Sequence, residues 1–359
     1  MIDVAIVGGG PAGCATALSL RTHAPDLSVA LIEQTNYESP RPGEVLSGAA
    51  RQLLENLGIR QAFESQAWRP VYAVAAAWGG PVLSENHAIF SGPGHGWHLD
   101  RAKFDLFLAR QAEARGVLMY RGVRIDPIEG LPVPARFVVD ATGRAASIAR
   151  RMGLSPKSFD PLLGFSRFFP EVEDSDPRTL VEAAPDGWWY TAALTGNVRV
   201  ATFMTDPDIA REQRLDRQPN WHAALRETRF VSAVVPDCAS VGDAVRPAGS
   251  ACLENPAGET WLATGDAACA HDPLSGQGIT RSLRSGILAS YAIADLLCKG
   301  TAEGIERYRM MTQHGWCGYL SARERFYREE QRWNDRPFWQ KRHGALANGE
   351  TAPFGRTIG

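Results

Sequence analysis

The residue types and spacings that could do chemistry begin almost at the N-terminus. Gly8-Gly9-Gly10-Pro11-Ala12-Gly13 has the Gly-x-Gly-x-x-Gly spacing, and an acid, Glu33, follows. In such a pattern Gly8 allows a tight turn, Gly10 lets the backbone approach a pyrophosphate, and Gly13 lets helix and strand pack closely. Pro11 and Ala12 open the helix, whose free N–H groups and positive dipole end suit phosphates. Glu33 lies about 20 residues beyond the glycines, where a carboxylate can accept bonds from ribose hydroxyls. A lone Gly-x-Gly-x-x-Gly often marks only a turn. Here strand, glycines, helix, second strand and acid agree on a dinucleotide cradle, which by itself does not separate NAD from FAD.

Further candidates lie downstream. Arg41 and Glu44 stand just past the second strand, placed to clamp an AMP ribose or a flavin edge, or to form a solvated salt pair. His95 and His98 flank Trp97 in a glycine-rich segment, with His95 a candidate for the substrate pocket; loop histidines are also commonly solvated. His271 precedes Asp272-Pro273-Leu274-Ser275-Gly276-Gln277-Gly278. It is an acid/base candidate or a structural imidazole. Asp272 either accepts a substrate proton or fixes the loop. Trp188-Trp189-Tyr190 offers an aromatic wall for a planar substrate, or plain sheet packing. Side chains alternate across a strand, so Trp188 and Tyr190 share a face and Trp189 takes the other. The basic, aromatic stretch 323–342 reads as a partner-docking face or a solvated helix.

The elements that must position these groups follow from the pattern. Residues 2–7 are an apolar run suited to a strand buried on both faces. A helix to about residue 20 and a strand over 28–33 complete a βαβ unit. Residues 44–65 read as helix, 71–78 as strand, 100–115 as an amphipathic helix and 136–139 as strand. From 163 to 205 the chain is β-rich, with turn signals at Pro185-Asp186-Gly187 and Thr195-Gly196-Asn197. A helix is expected over 207–228, a strand over 260–263, a long helix over 279–297, and helices to the end.

With 359 residues, 44% hydrophobic and 22% charged, the chain is a globular protein large enough for two joined domains. A net charge of -2 supplies no field for nucleic acid or anionic membranes. The six cysteines are scattered without a CxxC pair, which disfavours a disulfide framework and a zinc site. They read as buried small residues in a reducing compartment. No apolar run reaches membrane-spanning length, and a strand starting almost at Met1 leaves no room for a signal peptide. A cytoplasmic enzyme is the expectation.

Four ordered motifs carry a resemblance over residues 2–300. They are the cradle; Leu99-Asp100-Arg101-x-x-Phe104-Asp105; Asp140-Ala141-Thr142-Gly143-Arg144; and Gly265-Asp266-Ala267-Ala268 followed by the Asp272 to Gly278 run. Together they resemble the flavin-dependent monooxygenase superfamily, the para-hydroxybenzoate-hydroxylase-like and tryptophan-halogenase-like flavoproteins. The resemblance implies FAD as cofactor, Arg101 and Gly143 near it, Asp266 on the ribityl chain, and Pro273, Gly276 and Gly278 at the flavin's pyrimidine edge. Within that superfamily, Arg41-Pro42-Gly43-Glu44 and Gly94-x-Gly96-Trp97-His98-Leu99-Asp100-Arg101 are similar to the maturation flavoproteins of amino-acid oxidases that carry a cysteine tryptophylquinone.

The expected fold is α/β. A discontinuous Rossmann-like FAD-binding domain (1–70, 97–155, 246–300) is interrupted by a β-rich substrate domain (71–96, 156–245), and a helical segment (301–359) follows. The expected function is FAD-dependent hydroxylation of an aromatic group, foremost an indole, on a small molecule or a partner polypeptide. NAD(P)H or reduced flavin would be the electron donor. A flavin-dependent reductase or dehydrogenase, and a flavin-bearing assembly factor without turnover, are the alternatives. Halogenation is set aside because residues 34–102 contain no lysine and residues 188–193 read Trp-Trp-Tyr-Thr-Ala-Ala. Gly10→Val should abolish FAD binding, because a side chain there takes the pyrophosphate's space. Flavin fluorescence titration of the variant checks this, and tight FAD binding would refute the cradle.

Overall fold

The computed structural model describes residues 1–38, 44–88, 92–125, 130–171 and 176–344. A five-stranded parallel sheet runs in the order Trp261–Ala263, Ala135–Asp140, Ile2–Val7, Val29–Glu33, Leu118–Arg121. The central strand is apolar from Val4 to Val7, where both of its faces are covered. Val4 and Ile6 pack with Cys14 and Leu18 of helix Pro11–His23 and with Leu283 of helix Gly278–Lys299. Ala5 and Val7 pack with Ile32 and Ile148 on the other side. Val7, Asp140 and Ala263 lie side by side in the register. The turns that follow these three strand ends, at Gly8, Thr142 and Gly265, therefore open into one crevice at the carboxyl edge of the sheet, where open α/β sheets take ligands.

A second sheet has seven strands, in the order Gly242–Pro247, Leu163–Pro170, Val198–Thr205, Gly187–Leu194, Thr179–Ala184, Ala73–Ala77, Ser84–His87. Its pairings are antiparallel except that of Thr179–Ala184 with Ala73–Ala77. One face carries Trp189, Phe165 and Phe203 against Trp221 of helix Gln218–Arg226. The other carries Trp188, Ala183 and Met204 against Tyr327, Phe338 and Trp339 of the C-terminal helices Glu303–Glu329 and Pro337–Gly344. A short sheet of Val45–Leu46, Gly96–His98 and Arg69–Val71 lies alongside.

Several elements differ from the sequence expectation. Residues 44–65 form strand Val45–Leu46 and two short helices, Ala50–Asn56 and Arg60–Glu64, separated around Gly58 with φ 64°. The helix expected over 207–228 is broken into Pro207–Glu212 and Gln218–Arg226, with Arg214 at φ 51° between them. Strand Leu118–Arg121 contains no fully buried residue and was not expected. The cysteine reading also changes. Cys252 and Cys269 oppose each other across two antiparallel strands and form a disulfide. Of the others, Cys14 is buried while Cys238 and Cys298 are exposed. Pairing of residues so far apart in the chain is invisible to spacing rules, and the compartment argument built on reduced cysteines loses that support. Among the described residues no helix is long and apolar enough to cross a membrane.

Helices Pro11–His23 and Gly278–Lys299 touch through backbone. A Cβ on Gly286 would lie 2.3 Å from the Ala12 carbonyl oxygen. Replacing a mid-helix glycine by alanine ordinarily gains about 1 kcal/mol of helix propensity. Here Gly286→Ala should instead destabilise by roughly 1–3 kcal/mol through overpacking. Chemical unfolding measures the sign, and a stabilised variant would contradict the close approach.

Candidate FAD site

The glycine turn is built by contact. Gly8 has φ 108°, and a Cβ there would lie 2.2 Å from the Ala141 carbonyl oxygen. A Cβ on Gly13 would lie 1.9 Å from the Gly8 oxygen, so helix and strand meet only because both are glycine. Gly10 is different: nothing lies within 4 Å of its Cβ position. That open side is the one a pyrophosphate needs. Pro11 starts the helix, and among the described residues no side chain caps its first turn, which leaves amides for an anion. Glu33 Oε2 accepts from Gly9 N at 2.8 Å, and its Oε1 accepts from Thr35 Oγ1 at 2.6 Å. Tyr37 Oη donates to the Gly9 oxygen at 3.0 Å. The Gly9 peptide is thus held from both ends. Tyr37 was missed in the sequence, where nothing marks a lone tyrosine in a turn.

The flavin-side candidates gather at the other strand ends. Asp266 lies in the turn Gly265–Ala267, which no side chain caps. Its carboxylate faces Arg144 Nε at 3.6 Å. Burial pushes its pKa up, and Arg144 and Arg101 pull it back. Arg101 opens helix Arg101–Glu113, which Asp100 caps by accepting from Lys103 N. The Arg101 guanidinium makes a two-point contact with buried Asp105, at 3.1 and 3.0 Å. Asp105 is thus the partner that holds Arg101. Gly143 (φ 66°), Gly276 (φ 59°) and Gly278 each have nothing within 4 Å of the Cβ position, and Pro273 opens the turn Pro273–Ser275. A backbone lined by open space at Gly10, Gly143, Gly276 and Gly278 is what an FAD stretched across the crevice requires. These residues fit the cofactor.

His271 and Asp272, each read in two ways from the sequence, are both held in internal contacts. The His271 ring packs edge-on to Tyr319 at 4.3 Å and beside Trp316 at 5.6 Å. Burial, then Arg281 and Arg144, push its pKa down to about 3. A ring kept neutral between aromatic residues matches the structural imidazole rather than the acid/base. Asp272 is buried, with Oδ1 accepting from Leu274 N at 2.9 Å and Oδ2 from Tyr327 Oη at 2.6 Å. Its carboxylate fixes the loop and is not offered to a substrate.

Trp188 and Tyr190 do share a face, and Trp189 takes the other. Trp189 stacks on Phe203 at 4.6 Å and meets Trp221 edge-on, so it is sheet packing. Trp188 is also fully buried, donating from Nε1 to Tyr327 Oη at 3.0 Å. Neither tryptophan is a free wall. Tyr190 is the member that reaches the first domain, donating to Glu44 Oε2 at 2.8 Å. Burial and the neighbouring Glu44 raise its phenol pKa, so it stays protonated. Glu44 is itself 2% exposed. It is no solvated surface acid, and Arg41 lies outside the described residues. His95 lies tilted to Tyr72 and edge-on to Trp97, with Arg51 at 3.2 Å from its ring nitrogens; burial, then Arg51, lower its pKa. His98, expected to be solvated, is buried and bonds Thr179 Oγ1 at 2.7 Å.

Residues 1–149 match the FAD binding domain family. The FAD-dependent oxidoreductase LodB of Marinomonas mediterranea is 28% identical, over 96% of this chain and 98% of the relative. The chain is an FAD-dependent oxidoreductase. Its fold is that of flavin-dependent halogenases and monooxygenases. The halogenase CmlS superposes with a TM-score of 0.83 at 22% identity, covering 95% of this chain and 67% of that one. QhpG, a peptidyl tryptophan dihydroxylase essential for tryptophylquinone cofactor biogenesis, superposes with a TM-score of 0.69 at 23% identity, covering 99% and 81%.

The His271 surroundings set a pH dependence. The folded chain keeps the ring neutral down to about 3, whereas the unfolded chain protonates near 6.5. Stability is therefore complete above 6.5 and falls as pH drops from there toward 3. His271→Asn should remove roughly 1–2 kcal/mol of the loss between pH 7 and pH 5, read by urea unfolding at both values. Turnover at pH 7 should stay within about threefold; a loss of ~10²-fold would restore the acid/base role.

Proposed function

We propose that this flavoprotein hydroxylates an aromatic group, foremost an indole, with Glu44 and Tyr190 as the polar pair that receives it. The observation that carries the reading is the carboxylate–phenol bond of 2.8 Å, which joins the seven-stranded sheet to buried Glu44, just before strand Val45–Leu46. A buried carboxylate held by a neutral phenol is suited to accept a bond from an indole N–H, drawing electron density into the ring that is to be oxidised. FAD, when bound and reduced, supplies the activation of oxygen. The chain's own residues bind it through the glycine turns, orient the ring against Tyr190, and take up the proton at Glu44. Asp266 would bond ribityl hydroxyls, Arg101 would stand near the flavin, and Glu33 would reach the ribose.

The substrate is proposed to sit on a partner polypeptide. The fold shared with a peptidyl tryptophan dihydroxylase supports a peptide-borne indole over a free one. NAD(P)H or a reduced flavin made elsewhere would supply electrons, and the cytoplasm remains the proposed site of action. The domain boundaries 1–70, 97–155 and 246–300 against 71–96 and 156–245 are proposed as the cofactor and substrate halves, with 301–359 as the helical segment.

Halogenation is the second reading, favoured by the fold shared with a halogenase over 95% of this chain. One assay separates the two. The protein is supplied with FAD, a reducing system, oxygen, chloride and bromide, and a tryptophan-containing partner peptide. Oxygen uptake with a mass gain of oxygen on the peptide is expected. A halogen mass pattern would establish the second reading, and partner binding without oxygen uptake would establish an assembly factor. In the same assay Glu44→Gln should lower turnover by about 10²-fold with flavin retained. Tyr190→Phe should lower it by about tenfold, the worth of one hydrogen bond to a charged group.

A further inference from the structure

The loop 272–278 holds its place through a single helix outside the FAD-binding sheet. Tyr319, Arg323 and Tyr327 stand at spacings of four along helix Glu303–Glu329 and so form one line on its surface. All three converge on Asp272. Tyr319 Oη accepts from Asp272 N at 2.7 Å and shares a hydrogen with Ser250 Oγ at 2.6 Å. Arg323 Nε faces Asp272 Oδ2 at 3.4 Å, while its other end pairs with Asp160 Oδ2 at 3.0 Å. Tyr327 Oη donates to Asp272 Oδ2 at 2.6 Å and accepts from Trp188 Nε1 at 3.0 Å. Asp272 in turn accepts from Leu274 N inside the loop. One unbroken chain of hydrogen bonds therefore runs from the seven-stranded sheet, through the helix, into the loop.

We infer that Tyr319, Arg323 and Tyr327 are positioning residues for the flavin, setting the 272–278 loop through Asp272 and tying it to the sheet through Trp188. The inference rests on the reading that this loop takes the flavin end of FAD. A helix needed only for packing would cover the sheet with apolar side chains. This one sets two polar groups, Arg323 and Tyr327, on the carboxylate of a residue that is 1% exposed, and a third, Tyr319, on the same residue's backbone N–H. A carboxylate so buried is tolerable only while its partners are in place. Loss of one partner moves the loop amides, and those amides are what a flavin ring would feel.

The test uses the full chain titrated with FAD. Tyr327→Phe and Arg323→Lys should each raise the FAD Kd by about tenfold and change the bound flavin's visible spectrum and midpoint potential. Trp221→Phe, a buried substitution in the opposite face's core, should lower Tm and leave all three flavin readouts unchanged. Tyr327→Phe combined with Asp272→Asn should be no worse than Asp272→Asn alone, because the tyrosine acts through the aspartate. Gly276→Val tests the underlying reading, since a side chain there should by itself block FAD. If Gly276→Val weakens FAD while Tyr327→Phe and Arg323→Lys lower only Tm, the helix is structural and the inference falls. If Gly276→Val leaves FAD binding intact, the loop is not the flavin's and both fall.

Discussion

Everything in the FAD site depends on how closely chain can approach chain around Ala12. Three glycines surround it. A Cβ on Gly13 would meet the Gly8 oxygen at 1.9 Å, one on Gly265 would meet the Ala12 Cβ at 2.7 Å, and one on Gly286 would meet the Ala12 oxygen at 2.3 Å. These contacts press helix Pro11–His23 against both the central strand and helix Gly278–Lys299. As a consequence two helix N-termini, at Pro11 and Gly278, belong to one rigid packing unit. FAD carries a pyrophosphate and, some distance off, a ring that becomes anionic on reduction. In the proposed placement of FAD, the pair of packed helices would present a positive end to each. The spacing between the two ends is set by glycine contacts and not by any flexible side chain.

Around that unit the site matches each buried charge with a fixed partner. Asp105 is fully buried and takes the Arg101 guanidinium at two points. Asp140 accepts from Ile148 N and Ala149 N, which caps the short helix Ser147–Arg151 and places Gly143 beside the strand ends. Arg144 bonds the His271 oxygen at 2.6 Å and approaches Asp266, linking two loops that are distant in the chain. Such networks hold geometry well when complete and cost much when broken. They give the cofactor crevice a defined shape before any ligand arrives, which is the condition for preorganised chemistry.

The local half of this design was legible in the amino-acid order, and the tertiary half was not. The strand 2–7, the glycines and Glu33 could be read because strand, turn, helix and strand are neighbours in sequence and each follows its own periodicity. Gly286 could not: an isolated glycine inside a helical pattern carries no sign of what it touches. Tyr327 reads as one more aromatic residue in a basic helix, yet it contacts Asp272 and Trp188 from far along the chain. The histidines misled for a related reason. His98 and His271 have the residue type of proton carriers, but burial holds each near 3, and burial is set by elements that the local sequence does not name. The helix expected over 44–65 failed because a left-handed turn at Gly58 outweighs an apolar period.

Any assignment beyond the fold has to come from side chains, and those of the seven-stranded sheet are divided between its two faces. Fold alone decides nothing there, since the same architecture serves proteins described as halogenases and as a tryptophan dihydroxylase. Along strand Gly187–Leu194, alternation gives Trp189 to a helix-covered core and Trp188 to the C-terminal helices. Both indoles are thereby consumed by structure. Tyr190 alone is left to look toward the cofactor domain, and it is pinned by Glu44. Under the proposed function, an aromatic substrate would meet one tyrosine ring and one carboxylate, not a stack of tryptophans. Recognition by so few aromatic contacts would give little affinity from stacking, so specificity would come from the hydrogen bond at Glu44 and from surface beyond it. A substrate that brings its own extended surface, such as a polypeptide bearing the target ring, satisfies that demand better than a free aromatic molecule does.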